Sequence, residues 1–367
     1  MNKLVIGNLI HRPLRTLISI CAVAIEVVMI LCIVAIMLGQ VNGARDLATG
    51  IGADMIVQPP NSTFLSGISG APVPAKIAQV LQKLPHVAVA APVIVNLTAS
   101  GSVETIWGID YPSFNALRPF VFLAGKPFEA PNDVIVDDYF ARSDKGHHVG
   151  DTITILNHQF RICGIVEHGK GGRKFLPIRT LGALVSNPDN ASLFYLRSDN
   201  SQNQDLIKKE ILETPGLSDY QVKTMAEQLS MLTPEHLPAF TIALNVVIGI
   251  AVIIGFLVIF QSMYTAVMER TREIGILKSL GASKGYIMNV VLRESALITV
   301  SGIALGMILT ELIHAWMSYR FPTLPFFATT DWWFKGAAIA LAGGILGAIY
   351  PALKAASKDP IDALAYE

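Results

Sequence analysis

Few residues in this chain are of a type and spacing that could do chemistry. Gly164-Ile-Val-Glu-His-Gly169-Lys170 nearly spells a phosphate-binding loop. Such a loop needs Ser or Thr next, to ligate Mg²⁺, and must open a helix. Here Gly171-Gly172-Arg173 follows, so nucleotide binding is not expected there. His147-His148 is the only histidine cluster. Neighbours on a strand face opposite ways, and no HExxH or CxxC accompanies the pair, so no metal site is expected. Asp137-Asp138 reads as a polar turn after a strand, and no serine has a Gly-x-Ser-x-Gly setting. The remaining candidate is Glu26, the single charge in the apolar run Leu17 to Leu38. It lies about 13 Å into that run, where a carboxylate must be protonated, paired or turned towards protein. No catalytic residue emerges.

The elements that must carry these residues are apolar. Hydrophobic residues make up 52% of the 367 positions and charged ones 15%, with a mean hydropathy of +0.49. Ordinary soluble domains carry roughly 25% charged residues, so a membrane protein with a polar attachment is expected. Lys plus Arg equals Asp plus Glu at 28 each, which leaves no cationic field for nucleic acid. Three cysteines cannot build a disulfide framework. At 1.5 Å per residue, 22 residues cover about 33 Å, enough for a hydrocarbon core of roughly 30 Å. Spans are predicted at 17–38, 239–264, 291–316 and 333–353. Gly302/Gly306 and Gly343/Gly347 form small-xxx-small pairs that let helices approach closely. The first run is too long for a cleaved signal core and is followed by no small-x-small site, so it reads as an uncleaved anchor.

Basic residues in the short flanks orient the spans. Lys3, Arg12, Arg15, Arg270, Arg272, Lys278, Lys284, Lys354 and Lys358 fall on one side, and Arg320 on the other. The positive-inside bias places both termini and the segment 265–290 in the cytoplasm of a multi-pass inner-membrane protein. Residues 39–238 are then extracytoplasmic, and 317–332 form a short outer loop. The large segment carries 16 basic and 19 acidic residues. Short β-branched runs recur at 54–57, 91–95, 103–107, 133–136, 151–155, 160–166 and 192–196. Helical periodicity appears at 74–84 and 203–212. The expected fold class is therefore an integral membrane protein with four transmembrane α-helices and an extracytoplasmic α+β domain inserted between the first two. Loops are expected at 61–73 and 167–174, and a two-proline hinge at 233–238.

The segment after the second span is the most informative. Glu269 and Glu273 are four apart and would share a helical face, with Met268, Ile274 and Leu277 towards another. Gly281 suits a helix stop and Ser283 a helix cap. A helix with apolar and charged faces leaving the membrane suits docking on a protein.

Met268 to Ser283 resembles the ERTREIGILKALGAS signature of the MacB/FtsX-like permeases, membrane subunits of type VII ABC transporters. The likeness extends to Asn8 to Thr16, Gly52 to Val57, Ile106 to Asp110, Gly150 to Thr154, Phe160 to Val166, Leu292 to Ala296, Tyr350 to Ala356 and Asp359 to Leu364. It implies an amphipathic helix at 1–16, a coupling segment at 265–290 and a flanking tail at 354–367. It also implies pairing with a second copy or a related chain, and a separate ATPase that binds ATP and Mg while this chain holds no cofactor. Glu269, Arg270, Arg272, Glu273, Gly275, Lys278, Gly281, Ala282 and Ser283 would seat on that ATPase. One member type, the macrolide exporters, carries its ATPase ahead of the permease; here Met1 leads straight into the amphipathic helix, so a separate ATPase chain is expected. The resemblance implies mechanotransmission for export or envelope extraction of a drug, peptide, lipid or lipoprotein, with an adaptor as a further partner. Two alternatives remain: a transmembrane relay to an extracytoplasmic enzyme such as a wall hydrolase, and a membrane receptor without ATPase.

Overall fold

The structure, a computed structural model, describes residues 7, 12–60, 62, 72–98, 104–143, 146–233, 238–321 and 323–358. Most of the helix expected at 1–16, most of the 61–73 loop, 234–237 of the hinge and the tail beyond Lys358 lie outside the described residues. The chain forms two compact units. One takes residues up to Gln40, Pro238–Tyr319 and Leu324 onward; the other takes Val41–Leu237 with Arg320–Thr323.

The first unit is helical: α1 (Pro13–Gly50), α2 (Pro238–Glu269), α3 (Thr271–Ser279), α4 (Lys284–Arg320) and α5 (Thr330–Ser357). Four of them are long and apolar enough to cross a membrane. Val23, Val27 and Leu31 of α1 share a core with Ile259 and Met263 of α2, Ile298 of α4 and Ala348 of α5. Small residues set how closely the helices approach. A Cβ at Gly302 would come within 2.6 Å of Val23 Cβ, and one at Gly306 within 2.8 Å of Ala24 O, so α4 lies against α1 at both sites. Gly347 of α5 does the same against α2, at 2.7 Å from Phe256 O. Gly343 has more room, its nearest neighbour being Val252 O at 3.8 Å. Such contacts hold helices together where lipid supplies no hydrophobic drive.

The second unit is built on one mixed sheet of ten strands. Its spatial order is β12 (Gln221–Thr224), β1 (Met55–Gln58), β11 (Leu193–Ser198), β3 (Val87–Thr98), β4 (Glu104–Ile109), β9 (Lys174–Pro177), β6 (Asp133–Asp137), β8 (His158–Val166) and β5 (Phe122–Gly125), with β7 (Thr152–Ile155) also on β8, while β2 (Val73–Pro74) and β10 (Asn190–Ala191) pair separately. The β4–β9 and β6–β8 pairs run parallel and the others antiparallel. Short helices cover it, so the unit is α+β. The helical periodicity at 74–84 condenses to Ile77–Leu81. Pro85 disfavours helix at the residue before it, and His86 turns out at φ 64°. Trp107 of β4 centres an aromatic core with Phe114, Phe175 and Tyr195, stacking on Tyr195 with ring centroids 5.9 Å apart.

Candidate functional site

The segment 268–283 divides into residues that bind their own chain and residues that face outward. Glu269 ends α2, and Arg270 breaks the helix at φ −108°, ψ 16° before α3 begins. Glu269 and Glu273, expected on one helical face, therefore sit on different helices. A shared face needs an unbroken helix, and the Arg270 backbone leaves the helical basin instead.

Glu269 is occupied within the chain. It pairs with Arg12, and with Arg15 at 3.0 Å. Arg15 also reaches Glu294 of α4 at 3.7 Å, and Arg270 reaches both Glu294 oxygens, at 3.2 and 3.4 Å. The Glu294 side chain is only 5% exposed. Two arginines compensate this buried carboxylate, which ties the ends of α1, α2 and α4 together. Glu294 falls in the family-like stretch Leu292 to Ala296, but its partners Arg15 and Arg270 are 279 and 24 residues away in the chain, a pairing that no local pattern encodes.

Thr271, Ile274 and Gly275 are buried. Lys278 donates to the carbonyls of Ala356, at 3.0 Å, and Lys358, satisfying orphan acceptors at the end of α5. Gly281 has φ +96°. Its N–H bonds Lys278 O and the Ala282 N–H bonds Leu277 O, both at 3.0 Å, a paired closure that ends α3 and requires the left-handed backbone. Ser283 Oγ then accepts from the Tyr286 N–H at 3.2 Å and caps α4. Exposed on α3 and its turn are Arg272, Glu273, Ile276 at 44% and Leu280 at 80%. Beside them α2, α3 and α4 enclose a cavity of about 330 Å³, lined by Met263, Leu277 and Val290 and edged by Glu273.

Inside the span, Glu26 is 3% exposed and lies against Gly255 of α2, where any side chain would collide with its carboxyl. Its Oε1 has no hydrogen-bond partner among the described residues. Glycine at 255 makes the room.

The remaining polar candidates are structural. Asp137 is not in a solvated turn: it ends β6, is 1% exposed, caps the next helix at Phe140 N and pairs with Arg173 at 3.1 Å. Burial pushes its carboxyl up to about 6 against the pull of Arg173. His147 stacks on Phe140, while His148 points into solvent. Among the described residues no group of three His, Cys, Asp or Glu side chains could hold a metal.

Four candidate membrane helices with an α+β domain between the first two define a multi-pass membrane protein of the permease type. Residues 16–214 match the MacB-like periplasmic core domain and residues 245–360 the FtsX-like permease C-terminal region. The chain belongs to the MacB/FtsX-like permease family, and its α+β unit is the extracytoplasmic domain. It is 24% identical over 382 residues to the macrolide export ATP-binding/permease protein MacB of Shewanella sp. (strain W3-18-1), covering 97% of this chain and 59% of that protein. It is 22% identical over 403 residues to the ABC transporter permease YvrN of Bacillus subtilis (strain 168), covering 98% of each. The first relatives are longer: the chain spans about three fifths of their length, 59% for MacB and 63% for YknZ of Bacillus subtilis. The crystal structure of the periplasmic region of MacB from Actinobacillus actinomycetemcomitans is 14% identical, with a TM-score of 0.39, covering 48% of this chain and 92% of that one.

Proposed function

We propose that the chain is the permease subunit of an ABC transporter, driven by a separate ATPase and coupling ATP hydrolysis to motion of its extracytoplasmic domain. One observation carries this reading. The single helix α1 starts beside the Arg12/Arg15/Glu269/Glu294 cluster and runs 38 residues to Gly50, its last part belonging to the outer unit. At 1.5 Å per residue it is about 57 Å long, far more than the roughly 30 Å a membrane requires. The buried polar side chains of the helical unit include Ser19, Glu26, Ser295, Thr299 and Thr310, scattered over α1 and α4. That scatter favours a lever over a solute path through one copy.

Arg272, Glu273, Ile276 and Leu280 form the surface offered to the ATPase, with Gly275, Gly281, Ala282 and Ser283 shaping the α3 turn that presents it. Glu269, Arg270 and Lys278 hold that turn to the span helices. The chain itself needs no cofactor; ATP and Mg belong to the partner. A second copy or a related chain, termini in the cytoplasm, and export or extraction of a drug, peptide, lipid or lipoprotein, with an adaptor, complete the reading. Detergent co-purification of the native complex with an ATPase assay tests it. A nucleotide-hydrolysing partner that departs on Leu280→Asp is expected; full activity in a preparation lacking any such partner would overturn it.

A further inference from the structure

The glycine-rich loop after β8, whose spacing resembles a nucleotide-binding loop without its Ser or Thr, packs against the end of α1. Leu47 lies in the last turn of α1, where carbonyls lack intrahelical partners. Its oxygen accepts the N–H of Gly171 at 2.9 Å. Gly169 O lies so close to Gly50 that a side chain at Gly50 would overlap it. Gly171, at φ +81°, and Gly172 lie flat on the Trp107 indole, where an added Cβ would come within 2.6 Å of the ring in both cases. On the other flank of the helix end, Gly52 packs on Leu117 and Arg118. Lys170 spans the two flanks: its ammonium donates to Arg118 O, lies 3.9 Å from the Phe120 ring centroid, and is 6% exposed. Arg173 closes the loop, pairing with Asp137 and donating to Thr323 O at 3.0 Å.

We infer that Gly169–Arg173 is the joint that fixes the outer end of α1 to the sheet of the extracytoplasmic domain, with Lys170 as its positioning residue and Trp107 as the surface that receives the movement. The chemistry fits a joint. A helix end that is to drive a sheet needs contacts too close to slip, and three glycines at backbone-to-ring and backbone-to-backbone distance supply them. Among the described residues this buried ammonium is held by a carbonyl and aromatic faces and by no carboxylate, an expense that ordinary loop packing does not call for. Burial, with Arg118 nearby, holds its pKa down to about 7. The functional meaning of the joint rests on the mechanotransmission reading above; its existence does not.

Amide hydrogen exchange on the full chain in lipid nanodiscs tests it, first without nucleotide. In the wild type the Gly171, Ile51 and Gly52 amides are expected to open together, with protection equal within threefold, because one clamp holds them. In Lys170→Met all three are expected to exchange at least tenfold faster while Trp107 and Gly108 in β4 stay protected. Unequal protection in the wild type, or a Lys170→Met effect confined to residues 169–173, would overturn the joint. The wild-type comparison decides the matter even if the variant does not fold. A second arm adds the ATPase and ATP. A response at Ile51 that reaches Trp107 in the wild type and stops short of it in Lys170→Met is expected. Joint opening without any nucleotide response would leave the joint standing and defeat the transmission reading instead.

Discussion

Glu294→Met is the perturbation that most directly probes what holds the coupling end of the molecule together. Its carboxylate, 5% exposed, faces Arg270 at 3.2 Å and Arg15 at 3.7 Å, with the two arginine side chains 11% and 18% exposed. Removing one partner of a fully buried pair costs about 3–5 kcal/mol. Here both arginines retain some water, and Arg15 keeps Glu269 at 3.0 Å. The expected loss is therefore about 2 kcal/mol, roughly a 30-fold shift in the unfolding equilibrium. Unfolding in mixed micelles by titration with SDS, followed by the intrinsic fluorescence of the four tryptophans, reads this loss. A double-mutant cycle isolates the pair. Arg270→Met alone is expected to destabilise similarly, since it removes the shorter of the two arginine contacts to the buried carboxylate, and the double variant should recover about 1–3 kcal/mol of the summed losses. Raising the ionic strength should change the coupling little, because a pair this buried is poorly screened. Additivity within about 0.5 kcal/mol would refute the network.

Other outcomes follow from the same geometry. Gly306→Leu should abolish accumulation in the membrane, whereas Gly343→Ala, with 3.8 Å of clearance, should accumulate normally; immunoblots of membrane fractions compare them. Leu280→Asp should lose the ATPase in a pull-down with unchanged thermal stability, while Glu269→Lys, which sets a third cation beside Arg12 and Arg15, should lose stability first. Lys170 has a native pKa of about 7 against 10.5 in the free side chain, so its burial opposes folding in full below pH 7 and ceases to do so above about pH 10. The melting temperature of the wild type should accordingly rise between pH 6 and pH 10 relative to that of Lys170→Met, as followed by the intrinsic tryptophan fluorescence of the full chain.

Local signals were legible where one residue type does one local job. Four apolar runs gave the span helices, Gly281 ends α3 and Ser283 caps α4. Alternation marked β1, β6, β7, β8 and β11 in the places where the sheet has them. The strand order was not legible, because β4 pairs with β9 and β6 with β8 across intervening chain. The division of 269–283 was not legible either: whether a charged residue faces outward depends on Arg12, Arg15, Glu294 and the end of α5, brought in from distant positions. Lys170 looked like half of a nucleotide motif because spacing alone cannot show that its ammonium lies under Phe120.

The proposed lever requires ATP-driven motion at the outer end of α1. Asp46, exposed on that end, can carry a spin label once Cys21, Cys32 and Cys163 are replaced. The distance between labels on the two permease copies, measured in nanodiscs with the ATPase bound, should differ between the nucleotide-free and ATP-trapped states and revert after hydrolysis. An identical distance distribution in both states, in a preparation that turns over ATP and moves its substrate, would contradict the lever.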